Sequence, residues 1–112
     1  MLIDNWKYSE NPLLPSDAEM EMVTTDFVTV CRFLFRSPAP LGAHSHINEQ
    51  ITIVLEGEME IEFNEEKRLM KSGDVCVIPA NAVHKADITK APFRSIEVFD
   101  PARKDFAAAV KP

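Results

Sequence analysis

From Glu58 to Phe63 the chain alternates without a break: Met59, Ile61 and Phe63 fall on one side, Glu58, Glu60 and Glu62 on the other. Successive side chains of a strand point to opposite faces, so this segment predicts a strand with an apolar inner face and a solvated acidic outer one. The same period argues against an acidic metal cluster, because the glutamates stand opposite the core side chains. Phe27 to Arg36, rich in β-branched and aromatic residues, predicts another strand. It ends at Ser37-Pro38-Ala39-Pro40-Leu41-Gly42, a turn by composition. Ile51 to Leu55 is apolar apart from Thr52, the pattern of a strand covered on both faces.

Turn signals at Asn64-Glu65-Glu66, Ser72-Gly73-Asp74 and Pro79-Ala80-Asn81 separate further strands at Val75 to Ile78 and Phe93 to Phe99. Asp100-Pro101 reads as an N-cap followed by proline at the first helical position, opening a short helix through Val110. Residues 1–26, interrupted by Pro12 and Pro15, are expected to be irregular, draped over the domain or completing a subunit contact. Many short strands and no long helical segment predict an all-β sandwich or barrel, with residues 27–112 as the barrel domain.

Composition narrows the function classes. At 112 residues the chain is one domain. Its net charge of −6 argues against a nucleic-acid partner, which usually calls for a basic face. No apolar run approaches the roughly 20 residues of a membrane span. Met1 to Tyr8 carries Asp4 and Lys7 and lacks the apolar stretch of a secretory signal. Cys31 and Cys76, each inside a strand-like run, read as buried free thiols rather than a disulfide, which fits a cytoplasmic protein.

The chemistry concentrates in two stretches. All three histidines lie in His44-Ser45-His46 or at His84. Each alone is unremarkable as a surface or core residue. Together, two imidazoles on one strand face and a third from a distant strand can converge on one ion, and imidazole nitrogen suits zinc, copper, iron and nickel. Gln50 follows His46 by four residues, where a metal-ligating carboxylate would be expected. Glu49 offers such a carboxylate, but alternation puts it on the face opposite Gln50. A neutral fourth ligand leaves the ion's charge uncancelled, which strengthens Lewis-acid action and favours an anionic ligand. On the last strand, Glu97 and Phe99 share a face and Arg103 lies just beyond. If that face lines a barrel, Glu97 is placed for general-base work, Arg103 for holding a carboxylate and Phe99 as an apolar wall. An edge-strand glutamate paired with a nearby arginine fits the same residues.

The spacings carry a resemblance. Gly42-Ala43-His44-Ser45-His46, three residues, Gln50, six residues and Gly57 resembles the first motif of the cupin superfamily. Gly73, five residues, Pro79, one residue, Asn81, two residues and His84 resembles the second. The resemblance implies a cupin-type double-stranded β-helix, a jelly-roll barrel. It also implies a divalent ion (Ni, Zn, Fe, Mn or Cu) held by His44, His46, Gln50 and His84. The spacing to Gly57 selects Gln50 over Glu49. Gln50 replaces the family's usual glutamate, the leading glycine is displaced, and Asn81 replaces a glycine; asparagine tolerates the left-handed backbone expected there.

With Glu97, Phe99 and Arg103 added, the chain looks like the small cupins of pectin and alginate breakdown. That resemblance implies an enzyme that converts 4,5-unsaturated monouronates, small anionic sugar acids, to open-chain keto-deoxyuronates. Glu97, Phe99 and Arg103 would form the substrate wall. The family has aspartate at the position of Glu97, and its gap after His46 is one residue longer. Family habit implies a homodimer, in which the apolar Leu2, Ile3, Trp6, Leu13 and Leu14 would cross between subunits or pack over their own barrel. An iron or copper dioxygenase and a non-catalytic sugar- or metal-binding module stay open beside this reading. Sensors of the latter kind usually carry an appended DNA-binding domain, for which 112 residues leave no room.

Overall fold

The computed structural model describes residues 1–109. Two long strands organise the molecule: β5 (Glu49–Phe63) and β8 (His84–Asp100) run antiparallel from Glu49 opposite Asp100 to Phe63 opposite His84. Both bend midway, where the register slips between Val54 and Met59. Gly57 sits at the bend with φ +77°, and a Cβ there would lie 2.4 Å from the Lys90 carbonyl oxygen and 2.6 Å from that of Pro92. Only glycine meets both the positive φ and the close approach.

The bend turns one ladder into two facing halves. In the first, β1 (Lys7–Tyr8), β2 (Glu19–Thr24) and β3 (Thr29–Phe35) extend the sheet beyond the later part of β8. On its other side, β7 (Val75–Ile78) pairs with the start of β5. In the second, β4 (Ala39–His44) pairs the early part of β8 and β6 (Glu66–Lys71) pairs the end of β5. A short helix, α1 (Lys104–Ala108), follows β8. The result is the expected mostly-β jelly roll with one short C-terminal helix.

Alternation sets the core. β3 turns Thr29, Cys31, Phe33 and Phe35 inward, β5 buries Gln50, Thr52, Val54, Met59 and Ile61, and Phe93 and Phe99 of β8 complete the interior. The Met59 and Ile61 face is buried as the period-two pattern demands. Asn64 and Glu65 both take positive φ at the β5–β6 hairpin, and Asn81 adopts φ 64°, the left-handed backbone expected of it.

Several expectations need correction. Residues 1–26 are not irregular throughout, because β2 alternates buried Met20 and Met22 with outward Glu19 and Glu21. Those glutamates pair across the ladder, Glu21 with Arg32 and Glu19 with Arg36, each at 3.0 Å. The Pro-rich turn is confined to its start, since Ala39–His44 is a strand; Pro40 is tolerated where only one neighbour pairs. Ile51 to Leu55 is not covered on both faces, for Leu55 stands half exposed. The last strand begins at His84, not Phe93, and Glu66–Lys71 is a strand in its own right. Asp100 ends β8 and does not cap the helix, which starts after Arg103 with no side-chain cap; Val110 lies outside the described residues. Cys31 is buried, Cys76 only half so, and both are free thiols.

Candidate metal centre and its cavity

His44 ends β4 and faces His84, the first residue of β8, across the ladder. His46 lies past the strand end, in the loop to β5, yet its ring reaches the same spot. Ring centroids are 4.2 Å apart for His44–His84, 5.0 Å for His46–His84 and 5.9 Å for His44–His46. One ligand nitrogen from each comes within 4.8 Å of the others.

The backbone fixes which nitrogen that is. The Nδ1 of His44, His46 and His84 each lie 2.9 Å from a carbonyl oxygen, of Gly42, Asn48 and Ala82 respectively. A carbonyl only accepts, so each Nδ1 carries a proton, and in the neutral ring Nε2 keeps its lone pair. The His84 Nε2 is buried and has no hydrogen-bond partner among the described residues. Burial, the first cause in each case, pushes the His46 and His84 rings below the ordinary histidine range, which keeps them neutral. Neutral imidazoles locked in one tautomer by second contacts are the form a metal ion takes as ligands. The three histidines therefore form a cluster that could hold a metal ion.

Gln50 adds a fourth donor by orientation. Its amide Nε2 donates to Thr52 Oγ1 at 2.8 Å, and the Thr52 hydroxyl donates to Glu97 Oε1 at 3.3 Å. The Thr52 hydroxyl has one proton and gives it to Glu97, so it can only accept from Gln50, and the proton direction runs from Gln50 through Thr52 to Glu97. That leaves Gln50 Oε1 facing His46 Nε2 at 3.0 Å. With the Nε2 proton absent, two lone pairs face one another, an arrangement a cation between them would relieve. Glu49 is exposed on the other face, as alternation predicts.

A cavity of about 480 Å³ opens beside the histidines, between the two halves of the sheet. Its walls are largely apolar, including Phe33, Phe35, Met59, Ile61 and Phe93. Glu97 lines it, and burial pushes this carboxyl up from 4.5 to about 7, against the pull of the Thr52 hydroxyl and the Arg103 charge. Phe99 packs edge-on to the His46 ring, centroids 5.6 Å apart. Residues Glu10 to Leu14 and helix α1 meet at the cavity. They are tied there by the Ser9 hydroxyl donating to the Phe106 carbonyl at 2.9 Å.

Arg103 lines the same cavity but is no free clamp. Its Nε and Nη2 bond both carboxylate oxygens of Asp105, at 3.0 and 2.7 Å. Its plane packs over Phe106 at 3.7 Å and near Phe99 at 4.9 Å. Asp105 in turn is held below the usual carboxylate range, chiefly by that hydrogen bond. One edge of the guanidinium is taken, and among the described residues Nη1 makes no hydrogen bond. The edge-strand alternative, Glu97 ion-paired with Arg103, is not what forms; Arg103 pairs with Asp105.

Every residue expected at the site thus borders one space: His44, His46, Gln50, His84, Glu97, Phe99 and Arg103. Sequence reasoning missed Thr52, Ser95, Asp105, Phe106 and the Glu10 to Leu14 segment. Thr52 and Ser95 were within reach of the period-two rule, being two residues from Gln50 and Glu97. A second hollow of about 420 Å³, between β6 and β7, holds none of these residues.

Comparison with known proteins places this architecture. The cupin domain family model matches residues 37–99. The pectin degradation protein KdgF of Dickeya dadantii (strain 3937) is 34% identical over 82 residues, 72% of this chain and 74% of that one. The structure of KdgF from Halomonas sp. superimposes with a TM-score of 0.76 at 26% identity, covering 91% of this chain and 90% of that chain. An RmlC-like cupin from Shewanella frigidimarina NCIMB 400 shares the fold, with a TM-score of 0.76 at 21% identity over 90% and 88% of the two chains. This chain, homologous to KdgF, is a member of the cupin family.

Proposed function

We propose that this protein is a metal-dependent enzyme that opens the ring of 4,5-unsaturated monouronates. The observation that carries this reading is the meeting of three histidine rings, one amide oxygen and a buried carboxyl of raised pKa around one largely apolar cavity. The homology to a pectin degradation protein supports a uronate substrate. His44, His46, Gln50 and His84 would hold a divalent ion of nickel, zinc, iron, manganese or copper. When bound, the ion supplies Lewis-acid polarisation of a substrate oxygen, undiminished by any anionic ligand.

The chain's own residues do the rest. Arg103, steadied by Asp105, Phe99 and Phe106, presents its remaining edge to the substrate carboxylate. Phe99 covers the flat, dehydrated face of the sugar. Glu97 takes the proton of the anomeric hydroxyl as the bond from that carbon to the ring oxygen breaks. The released electron pair leaves an enolate on the former ring oxygen, and Glu97 returns the proton to its carbon terminus to give the ketone. The reaction is an isomerisation, with atoms and charge balanced. A carboxyl poised near neutrality suits both taking and giving that proton.

The direct test loads the protein with each metal and follows the enol absorbance of unsaturated galacturonate. Faster loss than in buffer is the expected result; no acceleration with metal shown to be bound ends this reading. We also infer a homodimer, because Met1, Leu2 and Ile3 stand exposed as an apolar tip. Light scattering after size exclusion would return a monomer mass if that is wrong. The two unlinked thiols fit a cytoplasmic setting.

A further inference from the structure

We infer that Ser95 is a substrate-reading residue, binding one hydroxyl or carbonyl oxygen at the end of the ligand remote from its carboxylate. The inference rests on the reading of the cavity as a substrate site. The inward face of β8 presents, in order, Phe93, Ser95, Glu97 and Phe99. Phe93 and Phe99 pack, and Glu97 accepts from Thr52. Ser95 does neither. It is 2% exposed, it lines the cavity, and among the described residues its hydroxyl makes no hydrogen bond.

A hydroxyl that borders an apolar cavity without a protein partner can bond a ligand oxygen, and alanine cannot. The cross-strand neighbours of Ser95 are Phe33 and Val54, neither of which offers a side-chain polar atom. The partner must therefore come from the cavity. Ser95 stands two residues from Glu97, roughly 6.6 Å along a strand, about the span of a six-membered ring. A ligand lying along β8 can thus put one oxygen at Glu97 and another at Ser95. Around Ser95 the wall is apolar, so the rest of that end of the ligand must be poor in hydroxyls. The site accordingly selects a dehydrated or deoxy acid with one remote oxygen and disfavours a fully hydroxylated sugar acid.

The test uses a pair of simple acids that differ by one oxygen, cyclohexanecarboxylate and 4-hydroxycyclohexanecarboxylate, titrated calorimetrically into the zinc-loaded protein. The wild type should prefer the hydroxy acid by about tenfold, the weight of one hydrogen bond to an otherwise unpaired buried group. Ser95→Ala should erase or invert the preference, and Ser95→Thr should keep it. Ser95→Ala without ligand should melt no lower than the wild type, whereas a structural role would lower it. An undiminished preference in Ser95→Ala, or no preference in the wild type, overturns the inference. Failure of the uronate reading looks different: unsaturated galacturonate is not turned over while the Ser95-dependent preference survives.

Discussion

Replacing Glu97 by glutamine should stabilise the protein and disable it, and the stabilisation should depend on pH. The carboxyl is raised from 4.5 in the unfolded chain to about 7 in the fold, mainly by burial. A raised carboxyl pKa means that the folded state binds the proton more tightly. Its ionisation therefore costs little below pH 4.5, and the cost grows as pH climbs from 4.5 to about 7 and is complete above that. At about 1.4 kcal/mol per pH unit, the full cost is about 3 kcal/mol at pH 8 and under about 1 kcal/mol at pH 5. Glutamine carries no charge at either pH and can still accept from the Thr52 hydroxyl through its carbonyl oxygen. In metal-stripped protein, Glu97→Gln should gain about 2 kcal/mol more at pH 8 than at pH 5, which is roughly 8 °C in melting temperature for a domain of this size. Paired thermal or urea melts at the two pH values read this directly. An equal gain at both, or a loss at pH 8, would show that Glu97 is not held against ionisation. Uronate turnover by the metal-loaded variant should fall at least about a hundredfold if Glu97 moves the proton.

Three further perturbations follow from the same geometry. Thr52→Val removes the acceptor that orients the Gln50 amide, so zinc affinity measured by calorimetry should drop about tenfold or more; unchanged affinity would mean that Gln50 needs no such support. Asp105→Asn loosens Arg103, which should raise KM for the uronate several-fold with little change in kcat, and Asp105→Glu should restore part of it. A fall in kcat with KM unchanged would refute that role. Gly57→Ala forces a Cβ against the Lys90 and Pro92 carbonyls at positive φ and should cost about 3 kcal/mol or more by urea titration.

The fold was legible where one face of a strand is apolar and the other polar. Glu58 to Phe63 declared itself in this way, and Val75 to Ile78 did so as a short apolar, β-branched run between turn signals. Glu19 to Thr24 did not, because its buried residues are Met20 and Met22, a side chain with little strand preference, and prolines stand just upstream. Ala39 to His44 was hidden by Pro40, which signals a turn unless one knows that the strand lies at an edge. The full length of β8 was obscured by Lys90-Ala91-Pro92, where the strand bends between the two halves opposite Gly57. Strand register sets that bend, and register is a property of two segments, not one.

The site divides along the same line. Spacing within single segments brought out His44, His46, Gln50, His84 and the trio Glu97, Phe99 and Arg103. What links them lies across segments. Thr52 faces Glu97 only because β5 and β8 pair in one register, and that contact fixes which atom of Gln50 meets His46. The charges gain meaning from the same links. Arg103 is balanced by Asp105, and Glu97 resists ionising, so neither would offset a dication if the three histidines and Gln50 held one. The charge that such a loaded site would lack is a negative one, and Arg103 lines the same cavity. On the proposed uronate reading a substrate carboxylate would supply it, and an amide at position 50, rather than a carboxylate, leaves that charge to the substrate.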